Sequence, residues 1–433
     1  MHGKLDRVVG MEGGTHGPHD RTDARPLGYP PHPMPANDEF DCVLVGGGIA
    51  ALWTLDALSE AGFRVALVEP WRLGGGQTLW SQGIIHGGTK YSLSGLLHPG
   101  SNAVSGMPAR WLESLEGRRR PDLRDVAVLS RETWLWRTGS IASRLGMLGA
   151  RLALRTRPEE VAAEDRPPLL RSAGEVHRLG EPCLDTRSLV ASFRKSHEAL
   201  MIAADGPESI SFADAQGRLG VSVGTVSGES TRLRTRLVIL AAAGGNDRFR
   251  ASLGLSPASQ RRPLHMGLVR GRPDRLPAFF GHCVDGAATR VTITSATDGD
   301  GRTAWQVGGR IAEEGVALDE PAFLDRLRAE LTATLPGLDL DPLEFASYRP
   351  DRVEARTAGG TRPDDAVLID DHPAAVTLFP TKLALAPRAA DLVLGAVRSR
   401  GIPPSGPCGI TSPRPSIGPS PWNEANFVAG GSR

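Results

Sequence analysis

Hydrophobic and polar positions along this chain follow two periods, and the change between them is clearest in residues 41–70, DCVLVGGGIAALWTLDALSEAGFRVALVEP. Residues 42–45 are an unbroken apolar run of strand length, Leu52, Leu55 and Leu58 recur at helical spacing, and residues 65–68 are a second apolar run. Gly46, Gly47 and Gly48 stand between the first run and the helix, and Gly62 ends the helix. The pattern predicts strand, tight turn, helix and second strand, the order of a βαβ unit.

Further along, residues 102–115 read as a helix with Trp111, Leu112 and Leu115 inward, residues 126–129 and 133–136 as strands, and residues 141–154 as another helix. Residues 158–168 form a charged, proline-bounded connector. A helix capped by Asp185 or Thr186 turns Leu189, Val190, Phe193 and Leu200 to one face. Short strands are expected at 209–212, 220–226 and 231–233, then a buried strand from Leu237 running into Ala243, Gly244 and Gly245. Residues 265–270, 289–294 and 304–307 predict an antiparallel sheet, covered by a helix near residues 320–335. Residues 376–397, VTLFPTKLALAPRAADLVLGAV, predict a strand, a turn at Pro380 and a helix that starts near Pro387, where proline is tolerated.

The glycine turn carries the first chemical signal. Gly46 permits the turn, Gly48 lets a pyrophosphate approach the backbone, and the small Ala51 lets helix and strand pack closely. The helix start at Ile49 then presents N–H groups and the positive end of a dipole to phosphate. Glu69 closes the second strand about 20 residues beyond the glycines, where an acid meets a ribose hydroxyl. Glycine-dense segments return at residues 73–93 and at Ala243–Gly245, implying repeated close approach of backbone to one ligand.

At 433 residues the chain has room for two or three units, and 40% apolar content fits a soluble globular protein. A net charge of +1 gives no electrostatic case for nucleic acid as a partner. No run reaches the ~20 apolar residues of a membrane span, though peripheral membrane contact stays open. Cys42, Cys183, Cys283 and Cys408 are far apart with no pair at metal-ligand spacing, so a reduced cytoplasmic compartment and no metal are expected. The first 38 residues are rich in Gly, Pro, His and charge and read as a disordered leader, whose His2, His16, His19 and His32 lack metal-site spacing.

With these residues in place, the chain resembles the D-amino-acid-oxidase-like superfamily of FAD-dependent oxidoreductases, nearest to glycerol-3-phosphate dehydrogenase and 2-hydroxyacid oxidase relatives. The resemblance rests on VGGGIAAL and VEP, on SQGIIHGGTKY, on LVILAAAGG and on FPTKLALAPRAADLV. It implies an α/β fold: a Rossmann-like FAD-binding domain, split in sequence, with an inserted antiparallel β-rich substrate domain. The expected divisions are a leader at 1–38, FAD-binding parts at 39–100, 181–260 and 372–400, a helix and strand insertion at 101–180, a substrate domain at 261–371 and a flexible tail at 401–433. The resemblance further implies that Gly46, Gly48, Ile49 and Ala51 flank the pyrophosphate, with Glu69 at the adenosine ribose. It puts Gln77, Ser81 and Gln82 at the flavin edge, Ala243 and Gly244 beside the dinucleotide, and Thr381, Lys382 and Leu383 near the flavin N1 and O2 atoms. Phe379 and Pro380 stand where that family carries glycines, and the loop differs from the family after His-Gly-Gly.

The implied activity is oxidation of a small anionic hydroxy compound, glycerol-3-phosphate-like or 2-hydroxyacid-like, by hydride transfer to flavin N5. Amino-acid or secondary-amine oxidation and a non-catalytic flavoprotein are the alternatives, and the electron acceptor is left open. His86 is the candidate base, because an imidazole titrates near neutrality; packing against the flavin or a covalent link to it are its other readings. Arg349 and Arg362, each followed by proline, are candidates for an anionic substrate, since a guanidinium matches carboxylate or phosphate bidentately; surface ion pairs are the alternative. Tyr348 and His265 complete the expected substrate set, with His282, Lys90 and Tyr91 as further candidates.

Overall fold

The computed structural model describes residues 39–87, 106–138, 159–215, 217–285 and 288–430. The leader at 1–38, the helix expected at 141–154 and the candidates Lys90 and Tyr91 lie outside the described residues.

Strand β1 (Glu39–Val45), helix α1 (Ile49–Glu60) and strand β2 (Val65–Glu69) form the expected βαβ unit, with β1 and β2 parallel and Leu44 opposite Leu67. Both strands read as continuous apolar runs because a parallel sheet is covered on both faces. Helix α2 (Thr186–His197) is capped by Asp185, whose carboxylate accepts from the N–H groups of Arg187 and Ser188. Strand β3 (Ser230–Leu240) then runs parallel to β1 on its other side, Cys42 opposite Leu237. It is one strand where two were expected, since residues 231–240 contain no glycine or proline to interrupt the ladder. Strand β4 (Ala375–Phe379) pairs in parallel with β3 and feeds helix α3 (Ala386–Ser399), whose first turn holds Pro387.

One face of this sheet buries α1, α2 and α3 in a common core in which Trp53 meets Trp111 edge to face at 4.6 Å and Phe193 at 5.9 Å. Trp111 also anchors the approach to α3, its indole N–H donating to the Ala384 carbonyl at 3.1 Å.

A second, nine-stranded sheet has the order Val428–Ala429, Glu344–Tyr348, Met266–Gly271, Thr303–Gly308, Ala288–Thr297, Gly281–Asp285, Thr133–Arg137, Glu175–Leu179 and Glu159–Glu160. Its pairs are antiparallel except Gly281–Asp285 with Thr133–Arg137. Three of its strands come from residues 101–180, so the expected separate insertion and the β-rich region build one sheet. Helix Glu320–Thr334 covers it and presses Leu327 so near the backbone that a Cβ on Gly267 would stand 2.6 Å from that side chain.

The expected flexible tail is also revised: residues 405–418 are strapped along the first sheet, and Val428–Ala429 joins the edge of the second. Asp41, 1% exposed, accepts from Arg64 N at 2.9 Å, Ser405 N at 2.8 Å and Ser405 Oγ at 2.7 Å. The Ala203 N–H donates to the Pro413 carbonyl, and that of Leu73 to Ser416. Composition rich in Pro, Ser and Gly indicates little helix or strand, and here the segment binds largely through its backbone groups. Replacing Asp41 by Ala strands three donors and is expected to lower the unfolding free energy by about 3 kcal/mol. Urea denaturation measures that loss, and limited proteolysis is expected to show new cleavage within residues 401–430.

Candidate functional site

At the carboxyl end of β1 the chain turns at Gly46, whose φ is +107°; a Cβ there would sit 2.6 Å from Ala242 Cα. Only glycine tolerates both the angle and the contact. A Cβ on Gly47 would stand 2.5 Å from Glu69 Oε2. Gly48 precedes α1 without any side-chain cap of its own, and the Ile49 N–H donates to Thr78 Oγ1 at 3.0 Å. Gly46, Gly48, Glu69, Trp71 and Ala243 line a cavity of about 400 Å³. Ala51 is fully buried against the sheet and acts through packing, not as part of the lining.

Burial pushes the Glu69 carboxyl up to about 7, against the pull of backbone N–H groups of Trp71, Gly47 and Arg72. The Trp71 N–H donates to Glu69 Oε1 at 2.6 Å. Trp71 itself is half exposed and overhangs this cavity, a feature that sequence reasoning passed over.

Gly48, Gln77, Thr78, Trp80, Ala241 and Ala243 also line a second cavity, of about 560 Å³, so the two form one trough. Gln77 Oε1 accepts from Val353 N at 3.0 Å, and Gln82 Nε2 donates to the carbonyls of Thr292 at 2.8 Å and Gln306 at 3.1 Å. These two amides therefore fasten the glycine-dense loop to strand Asp351–Ala355 and to the second sheet. Ser81 lines the same cavity, its hydroxyl donating to the Thr78 carbonyl. Gly244 does not line either cavity; it faces Arg261 Nη2 at 3.3 Å from where its Cβ would be.

Ile49, beside Gly48, also lines this cavity, and the far wall holds Arg362, Thr381, Lys382 and Leu383. Thr381 has φ +63°, with its hydroxyl donating to the Asp365 carbonyl at 2.9 Å and its own carbonyl accepting from Arg362 Nη2 at 3.1 Å. Burial, helped by the nearby Arg362 charge and opposed by Asp364, Asp365 and Glu354, brings the Lys382 ammonium down to about 8. Phe379, where glycine was the family pattern, is fully buried against Val353 and Ala355.

His86 borders the second cavity with its side chain 25% exposed, and its Nδ1 lies 3.1 Å from Oε2 of the buried Glu181. Glu181 Oε1 accepts from the Gly87 N–H at 2.9 Å. His282 stands behind them, its ring 5.5 Å from that of His86 and its Nε2 4.0 Å from Glu181 Oε2. The ligand atoms of the three lie within 4.8 Å of one another, a grouping the reading without metal did not anticipate. No spacing rule joins Glu181 to His86 across 95 positions; only the fold brings them together.

Three expected substrate residues are elsewhere. His265 is 1% exposed, between the Gly315 carbonyl and Ser347 Oγ at 3.0 Å each and stacked on Phe323 at 3.8 Å; its pKa is held low by burial. Arg349 donates to the Val316 and Leu318 carbonyls on the surface. Tyr348 sits behind the wall, donating to the Trp80 carbonyl at 3.1 Å and accepting from Gln306 Nε2 at 2.9 Å. A strand places alternate side chains on opposite faces, which an Arg-Pro pattern does not reveal. Arg310 and Arg352 border the cavity instead, the latter 2.9 Å from Glu313.

Residues 41–393 match the family model of DAO, the FAD-dependent oxidoreductases. The chain belongs to this family. A probable FAD-dependent oxidoreductase of Pseudomonas aeruginosa is 38% identical over 399 residues, spanning 90% of this chain and all of that protein. Its crystal structure superimposes with a TM-score of 0.76 at 35% identity, covering 90% of this chain and 99% of that one. Glycine oxidase from Geobacillus kaustophilus shares the fold at a TM-score of 0.60 and 16% identity, over 84% of this chain and 95% of that one. L-alpha-glycerophosphate oxidase from Mycoplasma pneumoniae does so at 0.59 and 14%, over 83% and 95%.

This DAO-family chain is an FAD-dependent oxidoreductase, and its trough fits the cofactor: a glycine cradle that a Cβ would fill at one end, and a desolvated cation with a left-handed turn at the other. Gly46→Ala is expected to retain its far-UV circular dichroism while weakening FAD binding about tenfold or more, read by flavin fluorescence titration. Lys382 gives a pH signature in the flavin-stripped protein. Between about 8 and its ordinary value of 10.5 the unfolded chain holds a proton that the folded chain lacks, so stability rises with pH across that window. Lys382→Met is expected to raise the melting temperature at pH 7, with the difference from wild type closing toward pH 10.

Proposed function

We propose that this enzyme oxidises a small anionic hydroxy compound, glycerol-3-phosphate-like or 2-hydroxyacid-like, and that it works in the cytoplasm. The observation that carries the reading is one cavity bordered by His86 and by Arg310, Arg362 and Lys382. Bound FAD supplies the two-electron acceptor that takes a hydride from the substrate carbon. His86 accepts the proton of the substrate hydroxyl as the C–H bond is cleaved, leaving the carbonyl product. Arg362, in the segment between strands Asp351–Ala355 and Val367–His372, attracts the anionic group, and Lys382, just past β4, adds positive charge to the same cavity. Gln77 and Gln82 hold the intervening loop rigid through their backbone contacts. Thr78 supports the start of α1, where Gly48 and Ile49 meet the pyrophosphate.

Anaerobic mixing with a panel of glycerol phosphate, 2-hydroxyacids, amino acids and secondary amines tests the reading through bleaching of the visible flavin band. Hydroxy anions are expected to bleach it; bleaching by amines alone assigns the enzyme to amine oxidation, and none by any member sinks both. With the active compound, His86→Gln is expected to slow reduction by about 10²–10⁴-fold. Arg362→Met is expected to raise KM by about 10-fold with a smaller change in kcat.

A further inference from the structure

The proton acceptor assigned to His86 requires that one ring nitrogen be unprotonated and face the substrate. Which nitrogen that is depends on what the other one meets. His86 Nδ1 meets Glu181 Oε2 at 3.1 Å, and the other carboxylate oxygen, Oε1, is taken by the Gly87 N–H at 2.9 Å. A carboxylate is acceptor only, so the pair is satisfied when Nδ1 carries the proton. We infer that Glu181 is a positioning residue that holds His86 as the Nδ1–H tautomer, so that Nε2 is the acceptor offered to the substrate hydroxyl. The inference rests on the base role proposed for His86.

The surroundings make this a fixed arrangement. Glu181 is 3% exposed, and the segments on either side of the pair are bound to each other: the Ile85 N–H donates to the Pro182 carbonyl and the Leu184 N–H to Gly83, both at 2.9 Å. His86 and Glu181 thus sit on two facing segments whose register is set by backbone bonds. His282 closes the far side of the carboxylate at 4.0 Å, its own Nδ1 2.9 Å from Thr292 Oγ1. The same three residues have the composition of a metal site, yet 3.1 Å between His86 and Glu181 is hydrogen-bond length, and ligation through Nδ1 would remove the Nδ1 proton.

The chemistry of an amide at this position separates the two tautomers. In Glu181→Gln one oxygen remains, and the Gly87 N–H needs it. The amide NH₂ then faces His86 Nδ1, which must become the acceptor, and the proton moves to Nε2, where it blocks the base.

The test uses holoenzyme carrying ¹⁵N-labelled histidine, with the His86 signals identified by their loss in His86→Gln and spectra recorded at alkaline pH, where imidazole is neutral. Wild type is expected to show protonated Nδ1 and unprotonated Nε2, and Glu181→Gln the reverse, with its far-UV spectrum and flavin band unchanged. Flavin reduction in that variant is expected to fall about 10²-fold or more in kcat with KM little changed, and Glu181→Asp to recover part of it. Wild type with unprotonated Nδ1 overturns the inference without any variant having to fold. So does unchanged reduction in a folded Glu181→Gln, or one equivalent of bound divalent metal that His282→Ala removes. If His86→Gln reduces flavin at the wild-type rate, the base role fails on its own, whatever the tautomer spectra show.

Discussion

Everything in the site depends on four parallel strands ending along one edge. Val45 lies beside both Val68 and Leu240, and Leu240 lies beside Thr377. The residues that follow these strand ends must therefore leave the sheet within a few ångströms of one another, and an open parallel sheet binds ligands at this edge. Gly46 has no room for a Cβ against the Ala242 backbone. Among the described residues two without glycine's freedom have positive φ, Ala243 and Thr381, and both lie on the trough. Backbone strain of that kind costs of order 1–3 kcal/mol per residue and persists where the surroundings impose it. Here the crowding of strand exits imposes it.

That edge also explains what was legible in the sequence. Residues 41–70 were readable because the unit is local: strand, glycines, helix and acid are contiguous, and each has a physical requirement visible in one residue type. The β4 to α3 passage was readable for the same reason, Pro387 marking the helix start. Substrate-side residues were not, because their placement depends on which face of a strand points to the cavity. His265 and Tyr348 lie in or beside the second sheet yet turn their polar atoms to Gly315, Ser347, Trp80 and Gln306. Arg362, in a segment between strands, reaches the cavity; Arg349 reaches backbone carbonyls on the surface. Glu181 was illegible altogether, since its meaning comes from His86 across 95 positions. The chain after residue 400 misled through composition: a segment with little helix or strand still packs when its donors and acceptors find partners, as Ser405 does at Asp41.

The ionisable groups on the trough are held away from their preferred states. Burial disfavours the charged forms of Glu69 and Lys382 at opposite ends, by raising one pKa and lowering the other. Neither shift stabilises the folded chain by itself. Each leaves a group whose interaction with a ligand of the right kind recovers what burial removed: a hydroxyl for the carboxyl, an anion for the ammonium.

A division between the two walls follows. The glycine cradle, Glu69, Thr381 and Lys382 are set by the parallel sheet, whose strand exits tolerate little change. Gln82 bonds Thr292 of the second sheet, and Glu313 is met by Arg352 from the separate strand pair Ser259–Pro263 and Asp351–Ala355. His86 and Glu181 lie between, on facing segments that neither sheet contains. The two walls are thus built from different parts of the chain and joined through Gln77 and Gln82. Substitutions on the second-sheet wall can alter the shape and charge offered to a substrate while leaving the cradle intact, whereas a change at Gly46 or Thr381 disturbs strand exits on which both walls rest. The fold shared with glycine oxidase and L-alpha-glycerophosphate oxidase at 16% and 14% identity shows that widely different sequences can hold this architecture.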